Sequence, residues 1–297
     1  MGHTASRPTV LMSQIAAVPR SFPAAPALAL ILAAYAFART LEVLPTSIPR
    51  ICIVALDVLS AMAFALVDGA RRYRLRGILV FAAICIVVGN IIENLGVATG
   101  FPFGHYYFAE LMGPKLFHVP ILLGLAYIGM AYVSWTLGRL IVGNSAGVLA
   151  TPSVAAFIMV AWDLAQDPVW ATILHGWVWR DGGPWFGVPV SNYLGWYLNV
   201  FLIYLCFALY LRRRPPQPIP ANPAHGRAAI LFYALCAVGN VAQAFGHPNP
   251  AELTDPSGHQ WRGADITAAS ALVSIFVMGA FAVLAWIRLN QPQATTD

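Results

Sequence analysis

The feature that most limits what this chain can become is a series of apolar stretches, each close to the length of one membrane crossing. They cover residues 26–42, 50–68, 77–97, 119–142, 148–166, 193–211, 228–246 and 266–288. A helix rises about 1.5 Å per residue and bilayer hydrocarbon is about 30 Å thick, so about 20 apolar residues make a crossing. In lipid the backbone has no water to bond to, which leaves helices and closed barrels as spanning structures. A barrel needs strands of about ten residues that alternate in polarity, and these stretches do not alternate. The expected fold is all-α: a polytopic integral membrane helical bundle of about eight transmembrane helices. With 59% hydrophobic and 10% charged residues, a chain of 297 residues has too little polar surface to be a water-soluble globule.

Residues 26–289 read as one transmembrane domain, after a cytoplasmic arm over 1–25 and before a polar, disordered tail over 290–297. The first span is short and has small residues near Ala38, as a cleaved signal would, but seven further spans make a retained helix the simpler reading. Orientation follows from Lys and Arg. Twelve of the seventeen fall in the arm or at the ends of spans two, four, six and eight, among them Arg71, Arg72, Arg74, Arg76, Arg139 and Arg212. Arg39, Arg50, Lys115, Arg180 and Arg262 lie on the other side. Both termini are therefore expected in the cytoplasm, in the cell (inner) membrane. The net charge of +5 is accounted for by these collars against lipid headgroups, not by nucleic acid. Residues 215–224, with five prolines, read as a stiff cytoplasmic linker. The opposite loops, 98–118 and 168–192, are rich in Gly, Pro, aromatics and His, the composition of loops that carry a site.

Ionisable groups in hydrocarbon are costly, so each needs a reason. Asp163 and Asp167 are four residues apart and share one helix face, with Pro168 ending or kinking the helix just beyond them. Two carboxylates one turn apart in low dielectric do not both ionise readily, which sets a protonated acid beside a base. The alternative is a polar helix end that meets headgroups. Glu93 lies between Asn90 and Asn94 near the same side of the membrane, as an interhelical clamp or as part of the site. Asp57 reads as structurally paired, and Glu42 and Asp68 as boundary residues at helix ends.

Aromatics crowd the same two loops, including Phe103, Tyr106, Phe108, Trp170, Trp177 and Trp179. An interfacial belt explains part of this density. Aromatic faces also stabilise a cation, which suits a reaction that passes through a carbocation. His105, His118, His175, His247 and His259 lie at or beyond this boundary, and none has the spacing of a metal site on one helix. Cys52, Cys85, Cys206 and Cys236 sit in apolar stretches as small core residues. A nucleophile elbow, a P-loop and a dinucleotide fingerprint are missing from the sequence.

Two blocks carry a family resemblance. Glu93-Asn-Leu-Gly-Val-Ala-Thr-Gly-Phe-Pro-Phe-Gly-His-Tyr-Tyr-Phe108 is one. The other is Trp162-Asp-Leu-Ala-Gln-Asp-Pro168, with Trp177-Val-Trp179 and Trp185-Phe-Gly-Val-Pro-Val-Ser-Asn-Tyr-Leu-Gly-Trp196 after it. Over residues 55–290 the chain resembles the CruF-type carotenoid biosynthesis proteins, departing from the pattern at Phe108, where a second tyrosine is expected. The resemblance implies a membrane hydratase, of the kind that includes the bacterioruberin-type hydratases, adding water across the terminal double bond of an acyclic carotenoid end. It implies a carotenoid or other isoprenoid lipid as substrate, with no redox cofactor or nucleotide. It carries over no catalytic assignment, so Glu93, Asp163 and Asp167 rest on the physical argument as catalytic candidates. Asn90, Asn94, His105, Tyr106, Trp162, Trp185, Asn192 and Trp196 are the expected substrate-binding residues, with Asn192 or a second carboxylate orienting the water.

Other classes fit parts of this pattern. Asp163-Leu-Ala-Gln-Asp167 matches a DxxxD motif that holds magnesium and a diphosphate in an intramembrane prenyltransferase, but it lies on the side poor in Lys and Arg. A proton-coupled transporter uses such carboxylates as a relay, but the inverted repeat expected of one is not visible. A carotenoid-binding partner of another pathway enzyme is a further reading.

Overall fold

A computed structural model of the chain describes residues 24–143, 147–213, 224–246 and 249–291. The N-terminal arm, nearly all of the proline-rich linker, His247 and the tail beyond residue 291 lie outside the described residues.

The helices follow the apolar stretches. They are α1 (Ala24–Val43), α2 (Arg50–Thr99), α3 (Ile121–Val142), α4 (Ala150–Pro168), α5 (Val190–Arg212) and α6 (Ala224–Gly246). The last, α7 (Gly263–Val273) and α8 (Gly279–Asn290), join through one wide turn, Ser274–Met278, into a single run. The fold is an all-helical polytopic membrane bundle. Among the described residues, six helices are long and apolar enough to cross a membrane by length and composition. The last two turns of α4, with Asp163, Gln166 and Asp167, are polar, and α4 is not one of the six.

At about 1.5 Å per residue, a straight helix of the length of α2 would run about 75 Å, more than twice the hydrocarbon thickness. It does not run straight. Arg74 sits at φ 58°, ψ 167°, a left-handed backbone setting that reverses the chain. The packing along α3 shows the reversal. Before the break, Ala61 abuts Gly129, Asp68 meets Tyr132 and Tyr73 meets Trp135, so both chains advance together. After it, Phe81 meets Tyr132 and Glu93 meets Tyr127, in the opposite sense. The two halves of α2 thus form a helical hairpin astride α3, matching the two separate spans expected at 50–68 and 77–97.

α3 is the axis of the bundle: 67% of its most apolar window is buried, against 22–50% for the other five helices. It packs against α2, α4, α6 and α8. Contact with α2 is close because Gly129 has no side chain. A Cβ there would lie 2.6 Å from Ala61 Cβ and 2.8 Å from its carbonyl carbon, so the small residue lets two backbones meet without a hydrophobic drive between helices in lipid. α2, α3 and α5 each begin directly after a proline (Pro49, Pro120, Pro189), whose missing N–H costs nothing at a helix start.

One end of the bundle carries three short antiparallel ribbons, all in loops. β1 (Tyr106–Phe108) pairs with β4 (Trp177–Trp179), Tyr106 opposite Trp179 and Phe108 opposite Trp177. β2 (Lys115–Leu116) pairs with β3 (Val119–Pro120), and β5 (Glu252–Thr254) with β6 (Gln260–Arg262). The two aromatic loops, read separately in the sequence, are stitched together by the first ribbon.

Candidate active site

Glu93, on the second half of α2, points toward α3 and the first ribbon. Its Oε2 accepts a hydrogen bond from the Tyr106 hydroxyl (2.5 Å) and its Oε1 one from Tyr127 (2.5 Å). Asn199 on α5 donates to the Tyr127 oxygen from behind (2.9 Å). Gly96, one turn after Glu93, makes room for this: a Cβ there would lie 2.5 Å from the Phe103 ring and 3.1 Å from the Tyr106 hydroxyl.

Asp163 and Asp167 lie one turn apart on α4 and both are buried. Beyond Pro168 the chain continues in a wide turn closed by the Leu174 N–H to the Val169 carbonyl (2.9 Å). The turn leads into β4 and brings Trp177 back over Asp167, to whose Oδ1 its indole N–H donates (2.5 Å). Asn192, in the first turn of α5, donates from Nδ2 to Asp167 and, more weakly, to Asp163 (3.4 Å). The three carboxylates differ in support. Glu93 has two phenolic donors, Asp167 an indole and an amide, and Asp163 only the long contact to Asn192.

All three line one pocket of about 300 Å³, with Asn192 and the aromatics Phe103, Tyr106, Phe108, Trp177, Trp179 and Trp196. Its lining holds no Lys, Arg or His. Three buried carboxylates thus face one space whose lining offers no countercharge, and burying charge in low dielectric is costly. The roof is the β1–β4 ribbon, where Tyr106 lies against Trp179 (ring centroids 4.6 Å apart) and Trp177 stacks on Trp170 (5.6 Å). One wall is Trp196, stacked on Tyr127 at 4.9 Å with rings 3° from parallel.

Asp163, Leu123, Trp177 and Trp196 also line a second, largely apolar chamber of about 760 Å³, bounded further on by Met112, Ala126, Met130 and Trp162. The carboxylate pocket and the apolar space therefore adjoin, sharing four lining residues with Asp163 among them.

Glu93, Asp163, Asp167, Asn192, Tyr106 and Trp196 come together, and Trp162 flanks them, edge-on to Trp196 at 6.4 Å. Other expected binding residues stand apart. Asn94 bonds Asn90 (2.8 Å) and receives the His118 amide N–H (3.0 Å), so this pair braces the loop after α2. His105 is exposed and pairs with Asp181 (2.8 Å). Trp185 donates to the Leu164 carbonyl (3.2 Å) and lines neither cavity. Asp57 lies 4.0 Å from Arg39. Asp68, expected as a boundary residue, is instead fully buried: it accepts from Tyr132 (2.6 Å) and pairs with His225 (2.8 Å). Glu42 sits in a partly buried network with Arg39 (2.6 Å) and Gln243 (2.8 Å). Tyr127 and Asn199, which hold Glu93, escape a sequence reading because each is a single polar group inside an apolar span. Among the described residues, no three His, Cys, Asp or Glu side chains converge closely enough to hold a metal ion.

Fold and site together define a polytopic membrane protein with a buried carboxylate cluster between an aromatic roof and an apolar chamber. Residues 51–255 match the family model described as "Carotenoid biosynthesis protein", and the chain belongs to that family. It is 32% identical over 119 residues to the bisanhydrobacterioruberin hydratase of Haloarcula japonica. That alignment covers 39% of this chain and 40% of the relative, so the chain spans about two fifths of the length of the curated protein it matches. No solved structure matches the chain.

Proposed function

We propose that the protein hydrates the terminal carbon–carbon double bond of an acyclic carotenoid end group, by carboxylate acid/base catalysis through a tertiary carbocation. The observation that carries this is the set of three carboxylates on one aromatic-lined pocket that adjoins an apolar chamber. Asp163 is the proton donor, since it faces the chamber and has the fewest hydrogen-bond donors. Its proton forms a C–H bond at the less substituted alkene carbon, and the π bond breaks to leave a cation on the other carbon. The faces of Trp177 and Trp196 stabilise that cation. A water oxygen then forms the C–O bond and loses a proton to Asp167 or Glu93, and proton exchange within the cluster restores the acid. The cycle needs no external reductant, oxidant or nucleotide.

The substrate is itself a membrane solute and enters the chamber from lipid, where other carotenoid-pathway enzymes supply and consume it. Residues 26–289 act as one domain, a reading supported by the bond from Arg39 on α1 to Asn240 on α6 (2.6 Å). The Arg-rich end, with Arg71, Arg72, Arg139 and Arg212, faces the cytoplasm of the cell (inner) membrane. That puts the ribbons on the opposite side and both termini in the cytoplasm. Expression in cells that accumulate an acyclic carotenoid tests the activity. The expected product carries one added water by mass spectrometry and is lost in Asp163→Asn and Glu93→Gln with protein still in the membrane. Lack of product from several acyclic carotenoids overturns the reading.

A further inference from the structure

A second polar pocket, of about 330 Å³, lies between α1, α4, α6 and α7, and the chemistry above leaves it unused. Arg39, Glu42, Gln166, Asn240, Gln243 and Ser270 form its polar wall. Arg39 is 6% exposed and is held by Glu42 (2.6 Å) and Asn240 (2.6 Å), which in turn donates to Ser274 (3.0 Å). Such groups inside a membrane bundle mark water-filled paths, and a polar space of this kind is one that water can occupy.

The pocket runs between two places that matter. At the ribbon end it reaches Arg50, which is exposed, and Leu174. Inward, Arg39, Glu42, Gln166 and Trp170 also form part of the wall of the apolar chamber, which reaches Asp163. Gln166 lies on α4 between the two aspartates and, among the described residues, its side chain makes one long hydrogen bond, to Cys236 Sγ (3.6 Å). Asp57 Oδ1, in the chamber wall, is buried without a hydrogen-bond partner. Another approach is a vestibule lined by Thr172, His175, Trp179 and Asp255. It ends on the aromatic roof, where Trp179 is 4% exposed.

We propose that this polar pocket is the route by which the reacting water reaches the carboxylate site, and that Gln166 is the positioning residue that passes it into the chamber. The proposal rests on the hydratase reading. Water arrives through polar groups on the α1–α6 side, and the isoprenoid end occupies the apolar chamber.

A cation deprived of water returns to an alkene by losing a proton from a neighbouring carbon, the methylene or a geminal methyl, to a carboxylate. In D2O each return that expels one of the substrate's own hydrogens leaves the delivered deuterium on carbon in unreacted carotenoid. The test uses the full chain in membranes equilibrated in D2O with an acyclic carotenoid, and mass spectrometry of both product and recovered substrate. In Gln166→Leu and Ser270→Leu, at wild-type abundance and thermal stability, hydrated product falls by about tenfold or more while deuterium in recovered substrate stays within about twofold. Gln166→Asn, which keeps the amide, restores most of the product, and His175→Leu in the vestibule changes neither readout. The proposal is overturned if both leucine variants hydrate normally, if hydration and exchange fall together, or if His175→Leu is the variant that loses product. A wild-type chain that neither hydrates nor exchanges overturns the hydratase reading itself, and this proposal with it.

Discussion

Removing the Tyr127 hydroxyl separates support of the chemistry from shaping of the pocket. Tyr127 donates to Glu93 Oε1 at 2.5 Å and lines neither cavity, so Tyr127→Phe removes one of two donors on that carboxylate without touching a substrate surface. A hydrogen bond to a charged group contributes about 1.5–3 kcal/mol. If Glu93 carries charge in the transition state, kcat falls by about tenfold to about a hundredfold, at about 1.4 kcal/mol per factor of ten, and KM is unchanged. Folding also loses stability, because Asn199 Nδ2 gives up its acceptor while Asn199 Oδ1 already lacks a partner. That unpaired donor costs about 1–3 kcal/mol. Tyr106→Phe removes the other donor, but Tyr106 does line the pocket, so there both kcat and KM move. The assay is steady-state hydration of an acyclic carotenoid in detergent, beside a thermal melt of each variant. A Tyr127→Phe variant with kcat within about twofold of wild type, or one with only KM changed, would refute the role given to Glu93.

Other consequences follow from single contacts. Asn192→Leu removes the amide shared by Asp163 and Asp167 and lowers hydration by about tenfold or more; full activity would show that the amide does not organise the pair. Gly129→Ala forces a Cβ to within 2.6 Å of Ala61 and destabilises the bundle by about 1–3 kcal/mol in a thermal melt; Ala61→Gly recovers part of this, and an unchanged melt contradicts the packing. In the loop before α7, burial pushes the Asp255 carboxyl up, but hydrogen bonds from Ser257, Trp261 and the His259 and Ser257 amides outweigh it and hold it below the ordinary carboxylate range. Its stabilisation is present at neutral pH and is lost as the pH falls through that lowered value. Proteolysis of the β5–β6 loop should therefore rise in acid for wild type and be high already at neutral pH in Asp255→Asn; equal cleavage of the two at neutral pH contradicts this.

Much of the frame was legible because lipid imposes one length rule on every crossing, and the eight expected spans coincide with helical segments, including the two halves of α2. The Asp163–Asp167 pair was legible too, since a helix puts residues four apart on one face. What escaped depends on contacts between distant parts of the chain. Arg39 and Asn240 are 201 residues apart, and nothing local marks Arg39 as more than an outer basic residue. Asp68 reads as a boundary residue because it ends an expected span, yet Tyr132 and His225 bond it inside the bundle. His105 is among the expected binding residues, but it lies just before β1, whose first residue Tyr106 is buried, and it faces Asp181 outside. The pairing of the two aromatic loops, which roofs the site, leaves no trace in either loop alone.

The most direct test of hydration at this carboxylate cluster is to run the reaction with the full chain in membranes in oxygen-18 water containing deuterium oxide, and to weigh the product. Hydration places one solvent oxygen on the tertiary carbon and one solvent deuterium on the adjacent carbon, and Asp163→Asn places neither. A product whose oxygen comes from dissolved oxygen gas, or one that forms equally in Asp163→Asn, would contradict the account.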